Sequence, residues 1–123
     1  MSDPLPQKNF IDDLQKRLDE LAQELDKDFA REMAGLYLQD APLQLQIVAD
    51  AVAKKDSVLL AQAAHKLKGS SLNIGASRMA SLCLHLEQLG KSGANIGDEP
   101  SLDELLKEFE QVKVFLLAYQ SAV

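Results

Sequence analysis

Apolar residues return every three or four positions along nearly the whole chain, and the breaks between these runs mark out helices. Phe10, Leu14, Leu18, Leu21 and Leu25 form the first stripe, with Asp12, Lys16, Asp19, Glu20 and Glu24 on its polar side. Asp26-Lys27-Asp28 makes a junction, and Asp28 is placed to cap the next helix. That second helix starts near Phe29 and carries Met33, Leu36, Tyr37 and Leu38. Pro42 has no amide hydrogen, so it either opens a new helix or kinks a long one that continues through Leu45, Ile47, Val48 and Val52. Lys54-Lys55-Asp56-Ser57 reads as a turn, with Asp56 or Ser57 capping a helix that runs from Ser57 to Ile74. Gly75 suits its left-handed C-cap. Ser77 then caps a helix with Met79, Leu82, Leu86 and Leu89 inward, closed by Gly90 or Gly93. Ser92 to Pro100 is the stretch richest in turn residues. Ser101 opens the last helix, Glu104 completes a capping box, and Leu102, Leu105, Leu106, Phe109, Val112, Phe115 and Leu116 line the stripe. Amphipathic helices of this length, joined by short loops, are most economically an all-α antiparallel four-helix bundle with an additional N-terminal helix.

The bulk properties narrow the function. With 123 residues, the chain is read as one domain spanning 1–123, with a flexible leader at 1–6 that holds Pro4 and Pro6. A net charge of -6 argues against nucleic acid and against an anionic membrane surface as partners. No apolar run approaches the roughly 18 residues of a spanning helix, and Met1-Ser2-Asp3-Pro4 lacks the regions of a signal peptide. Cys83 stands alone, so no internal disulfide forms, which fits a reducing cytoplasm.

Candidate chemistry concentrates on the third helix. At about 100° per residue, Leu60, Ala63, Leu67, Ser71 and Ile74 lie roughly 160–240° from His65, so the imidazole points away from the buried face. Within about 60° of it lie Ala61, Gln62, Lys68, Gly69 and Leu72. Glycine inside a helix costs roughly 1 kcal/mol relative to alanine. Gly69 comes one turn after the histidine, where a Cβ would crowd a group attached to the ring. Leu72, an apolar residue on the same exposed face, suits docking.

The run His65-Lys66-Leu67-Lys68-Gly69-Ser70-Ser71, with Gly75-Ala76 shortly after it, resembles the signature of histidine-containing phosphotransfer (HPt) domains. The similarity continues through Leu82-Cys83, Leu86-Glu87 and Gly90-Lys91, and upstream through Phe29 to Pro42 and the Lys54-Lys55-Asp56 turn. The resemblance implies a phosphorelay intermediate that takes a phosphoryl group onto His65 from a receiver-domain aspartyl phosphate and passes it to another receiver. It implies a phosphocarrier rather than an ATP-using kinase. Receivers of hybrid sensor kinases and response regulators would be the partners. The chain itself would bind no cofactor or metal, and Mg2+ would sit on the receiver.

An exposed imidazole is mostly a neutral nucleophile at cytosolic pH. Lys68, one turn away on the same face, can offset phosphoryl charge, and Gly69 leaves room for the group. In related domains a polar side chain on the next helix holds the other ring nitrogen, and that position falls on Glu87. Lys91 matches a basic position near the phosphoryl site. An exposed Glu87–Lys91 ion pair one turn apart is the plain alternative for both. Ala61, Leu72 and Leu84 are the candidates for receiver docking. A monomer is expected, because the histidine face must stay free. Met1 and the complete set of helices favour a stand-alone protein over a domain excised from a hybrid kinase.

Other readings carry less. Gly90-Lys91-Ser92 looks like the end of a Walker A loop, but the required earlier glycine would be His85 and no strand precedes it. No glutamate has a histidine three residues later, so a di-iron bundle is rejected. His85 lies about 160° round its helix from Glu87 and is read as a residue without function, and Cys83 as packing. The competing class is a non-catalytic helical adaptor that binds a signalling partner through the apolar patch around His65.

Overall fold

Each helix boundary has a local cause, and several differ from the ones the sequence suggests. The computed structural model of the chain describes residues 6–93, 96–97 and 99–121, with side chains from residue 11 onward. The described residues form five helices: α1 (Pro6–Glu24), α2 (Lys27–Lys54), α3 (Ser57–Ile74), α4 (Ser77–Ser92) and α5 (Pro100–Ser121). Of the leader read at 1–6, residues 1–5 lie outside the described residues and Pro6 already begins α1. The side chain of Phe10 also lies outside them.

Asp26, not Asp28, caps α2, accepting from the Phe29 amide at 2.6 Å. Asp28 falls in the first turn, where its charge suits the helix dipole. Pro42 stays within one continuous α2, so it does not open a new helix. Asp56 rather than Ser57 caps α3, accepting from the Leu59 amide at 3.0 Å. Gly75 closes α3 in the left-handed region at φ 82°. Ser77 does not cap α4: it is the first helical residue, and its hydroxyl donates to the Asp13 carboxylate of α1. Gly93, at φ 68°, ends α4. The last helix starts one residue before the expected cap, at Pro100, whose fixed φ suits a first helical turn. Ser101 therefore sits inside it, and the Ser101–Glu104 capping box is absent.

Helices α2 to α5 form an antiparallel bundle in which α3 lies between α2 and α4, and α5 closes against α4 and α2. Cross-helix pairs show the direction: Tyr37 of α2 meets Ser71 of α3 at 2.8 Å, and Gln120 of α5 donates to the Arg31 carbonyl of α2 at 3.3 Å. Helix α1 packs over α2, α3 and α4 through buried Leu14, Leu18 and Leu21. It is tied to the C-terminal end of α3 by Arg17, whose Nε donates to the Asn73 carbonyl at 3.0 Å. Leu25 is exposed, because α1 ends at Glu24 and leaves it in the turn. Leu36 and Leu106 are also exposed, each one position off the buried stripe that runs through Tyr37 and Leu105.

The tightest backbone approach is at the seam between α3 and α4. A Cβ on Gly90 would stand 2.6 Å from the Ser57 carbonyl oxygen and 2.7 Å from the Ala61 amide nitrogen. Gly90 is therefore a packing residue rather than a helix terminator. Its missing side chain brings α4 against α3 one turn from His65.

Candidate functional site

The exposed face of α3 develops as the spacing predicts. Leu60, Ala63, Leu67, Ser71 and Ile74 are all buried, and the His65 side chain is 68 % exposed. Gly69 is open, with nothing within 4 Å of where a Cβ would stand. A helical side chain leans over the turn N-terminal to its own Cα, so a Cβ at position 69 would extend over the His65 turn.

Glu87 reaches this face from α4. The His65 ring donates Nδ1–H to Glu87 Oε2 at 2.9 Å. Lys68 donates from Nζ to Oε1 at 2.7 Å, and Lys91 Nζ stands 3.1 Å from Oε2. One carboxylate thus gathers three donors from two helices. Glu87 is only 3 % exposed, so the plain reading of an exposed Glu87–Lys91 pair is incomplete: the pair exists, but its acidic partner is buried and shared. The burial comes from register. Met79, Cys83, Leu86, Glu87 and Gly90 all fall on the buried side of α4.

The hydrogen bond from Lys68 above all, with those from Lys91 and His65, pushes the Glu87 carboxyl down to about 2, against the opposing effect of burial. Across the range in which an imidazole titrates, Glu87 is ionised and can only accept. Nδ1 therefore carries the hydrogen, and the lone pair of a neutral ring is on Nε2, the nitrogen not held by the protein. The tautomer is set by the buried carboxylate.

Lys68 is drawn in further than its position on the exposed face suggests. Its side chain is 22 % exposed and its ammonium lies on Glu87, whereas the Lys91 side chain is 68 % exposed. Ala61 is half-buried and lines a shallow concavity with Gln62, His65, Glu87 and Lys91. Leu72 and Leu84 are exposed on α3 and α4. His85 is exposed on the flank of α4 away from Glu87. Cys83 is fully buried, and burial pushes its thiol up to about 12, so it packs rather than reacts. Among the described residues, no group of three or more His, Cys, Asp or Glu side chains could hold a metal ion, and no helix is long and apolar enough to cross a membrane.

An antiparallel helical bundle that offers an exposed imidazole at the seam of α3 and α4, fixes its tautomer through a buried carboxylate, gathers lysines at that carboxylate and clears a turn with glycine is built as a histidine phosphotransfer module. The Hpt domain family model matches residues 32–114, most of the chain, and the chain belongs to that family. It is 28% identical over 115 residues to Histidine-containing phosphotransfer protein 2 of Arabidopsis thaliana, a match that covers 91% of this chain and 74% of that protein. It is 37% identical over 86 residues to the signal transduction histidine-protein kinase BarA of Shigella flexneri, which takes in 69% of this chain and 9% of the kinase. The fold matches the crystal structure of histidine-containing phosphotransfer protein B (HptB) from Pseudomonas aeruginosa PAO1 with a TM-score of 0.78 at 24% identity, covering 88% of this chain and 94% of that one. The protein is a histidine phosphotransfer intermediate of phosphorelays, in which Hpt domains relay with the receiver domains of hybrid kinases.

Proposed function

We propose that His65 is the phosphoacceptor. The lone pair on Nε2 attacks the phosphorus of an aspartyl phosphate on a receiver domain. The N–P bond forms as the P–O bond breaks, and the aspartate leaves as a carboxylate on the receiver. Nδ1 keeps its hydrogen, so the ring becomes cationic as the bond forms. The Glu87 carboxylate against Nδ1–H stabilises that charge. The same step in reverse hands the group to the aspartate of a second receiver, on a hybrid sensor kinase or a response regulator. Glu87 orients the ring, Lys68 and Lys91 offset the charge of the phosphoryl oxygens, and Gly69 leaves room for the group. Ala61, Leu72 and Leu84 meet the receiver. Mg2+ is supplied on the receiver side, and the chain works as a cytoplasmic monomer without a cofactor of its own.

The observation that carries this reading is the 2.9 Å bond from an exposed His65 to a buried, ionised Glu87. Transfer from a panel of radiolabelled receiver domains tests it, with His65→Gln as control. Acid-labile, base-stable label on the wild type and none on His65→Gln is the expected result, with helicity unchanged because the ring is exposed. Label that persists on the variant would end the assignment. Binding to receivers with no label on either protein would instead identify the adaptor.

A further inference from the structure

Gln62 stands one turn before His65 on the exposed side of α3 and lines the same concavity as His65, Glu87 and Lys91. Neither the spacing of the HPt signature nor the pairing around Glu87 gives it a role. Its surroundings do.

A helical side chain leans toward the N-terminus of its helix, so the His65 ring lies over the turn that holds Ala61 and Gln62. Residues three apart on a helix are neighbours, which brings the Gln62 carboxamide within reach of a group carried by the ring. The floor of this turn is low, because Ala61 has a single methyl and Gly90 packs its backbone directly against the Ala61 amide. Two cations already serve the site, but Lys68 is held on Glu87 Oε1 at 2.7 Å and Lys91 stands 3.1 Å from Oε2. Gln62 is exposed, and its two carboxamide N–H donors are open to an incoming anion.

We infer that Gln62 is a further catalytic residue of the phosphoryl transfer, donating from its carboxamide to a phosphoryl oxygen while the group lies between His65 Nε2 and the receiver aspartate. This rests on His65 being the phosphoacceptor. The chemistry favours a neutral donor. The phosphoryl group must arrive and then leave, and a third cation would hold the phosphorylated form too tightly. An amide stabilises charge as it spreads over the equatorial oxygens without adding to the net positive charge of the site. Gln62 adds no atom to the step and takes no proton: the N–P bond still forms at Nε2 as the P–O bond breaks.

The test is transfer kinetics with a receiver that labels the wild type, comparing Gln62→Ala and Gln62→Glu. Each rate is resolved into its limit at saturating receiver and the receiver concentration that gives half of it. An exposed hydrogen bond to a charged group is worth about tenfold in rate at the lower end of its range. Gln62→Ala is therefore expected to lower the limiting rate about tenfold with the half-saturating concentration unchanged, and Gln62→Glu to lower it further by repulsion. The 31P resonance of the phosphorylated histidine should move in Gln62→Ala, which a merely structural residue would not cause. Wild-type limiting rates in both variants would overturn the inference, as would a loss confined to the half-saturating concentration. No label on the wild type from any receiver would be a failure of the His65 assignment itself.

Discussion

Helix α4 carries one seam on each side, and each seam buries a glutamate. Glu87, toward α3, is 3 % exposed, and Glu108 of α5, toward α4, is 6 % exposed. Their carboxyls move in opposite directions. Glu87 is pushed down to about 2 because Lys68, Lys91 and His65 approach to 2.7–3.1 Å. Glu108 is raised by burial, and Arg78 offsets this only in part from 3.7 Å, beyond hydrogen-bond distance. Burial alone would raise both. Partner geometry decides the sign, and only the seam that delivers three donors to one carboxylate holds a fixed charge beside a nucleophile.

The sharpest way to break this comparison is to neutralise Glu87. Glu87→Gln keeps the shape and an oxygen acceptor for Nδ1–H but removes the charge that stabilises the cationic ring. Loss of such a supporting group costs roughly 10–100-fold in activity. The expected result is a drop of that size in the limiting transfer rate, with near-normal helicity by circular dichroism. An unchanged rate would reduce the carboxylate to a packing element. Acid makes the same point without mutation. The folded carboxyl lies below its unfolded value, so the stability contributed by the cluster is complete above the ordinary carboxylate range and is lost as pH falls through about 2. NMR titration of the Glu87 carboxyl carbon should show it still ionised at about pH 4, the ordinary carboxylate midpoint.

The two glycines near the site form a second contrast. Gly90→Ala sets a methyl 2.6 Å from the Ser57 carbonyl and 2.7 Å from the Ala61 amide, both backbone atoms. Overpacking of this kind costs about 1–3 kcal/mol, and separating α3 from α4 also draws Glu87 from His65. Gly69→Ala meets nothing within 4 Å and is expected to stabilise the exposed helix by about 0.5–1 kcal/mol while slowing transfer. Chemical denaturation and transfer assays on both variants separate the two roles. If Gly69→Ala transfers at the wild-type rate, the space above His65 is not used.

Much of this is legible in the sequence. Helix α3 can be read in register because its small and apolar positions leave one face for His65, and the structure keeps that face. The caps are less legible. Several aspartates and serines compete for each helix start, and the choice turns on tertiary needs, as when the Ser77 hydroxyl bonds to Asp13 instead of capping α4. Glu87 can be placed by resemblance but not its burial, although Cys83 and Leu86 on the same side of α4 signal it. Gly90 reads as a terminator in one dimension. Only the approach of α3 shows that it sets the distance between the two halves of the site.

The smallest effect is expected at Glu108, and it has the opposite pH signature. Its folded carboxyl lies above the unfolded value, so ionising it favours unfolding once pH rises past the ordinary carboxylate range. Glu108→Gln keeps the shape and removes the ionisation. Arg78 retains Glu104 at 3.9 Å, so the substitution leaves the arginine with an acidic neighbour. The stability difference between variant and wild type, measured by denaturant at about pH 4 and about pH 7, should therefore shift in favour of the variant at the higher pH. Transfer from a receiver should be unaffected, since the α4–α5 seam does not reach His65. A variant that loses stability relative to wild type over the same rise in pH would mean that Arg78 outweighs burial. Glu108 would then be a second ionised cluster, and the contrast between the two seams would rest on position alone.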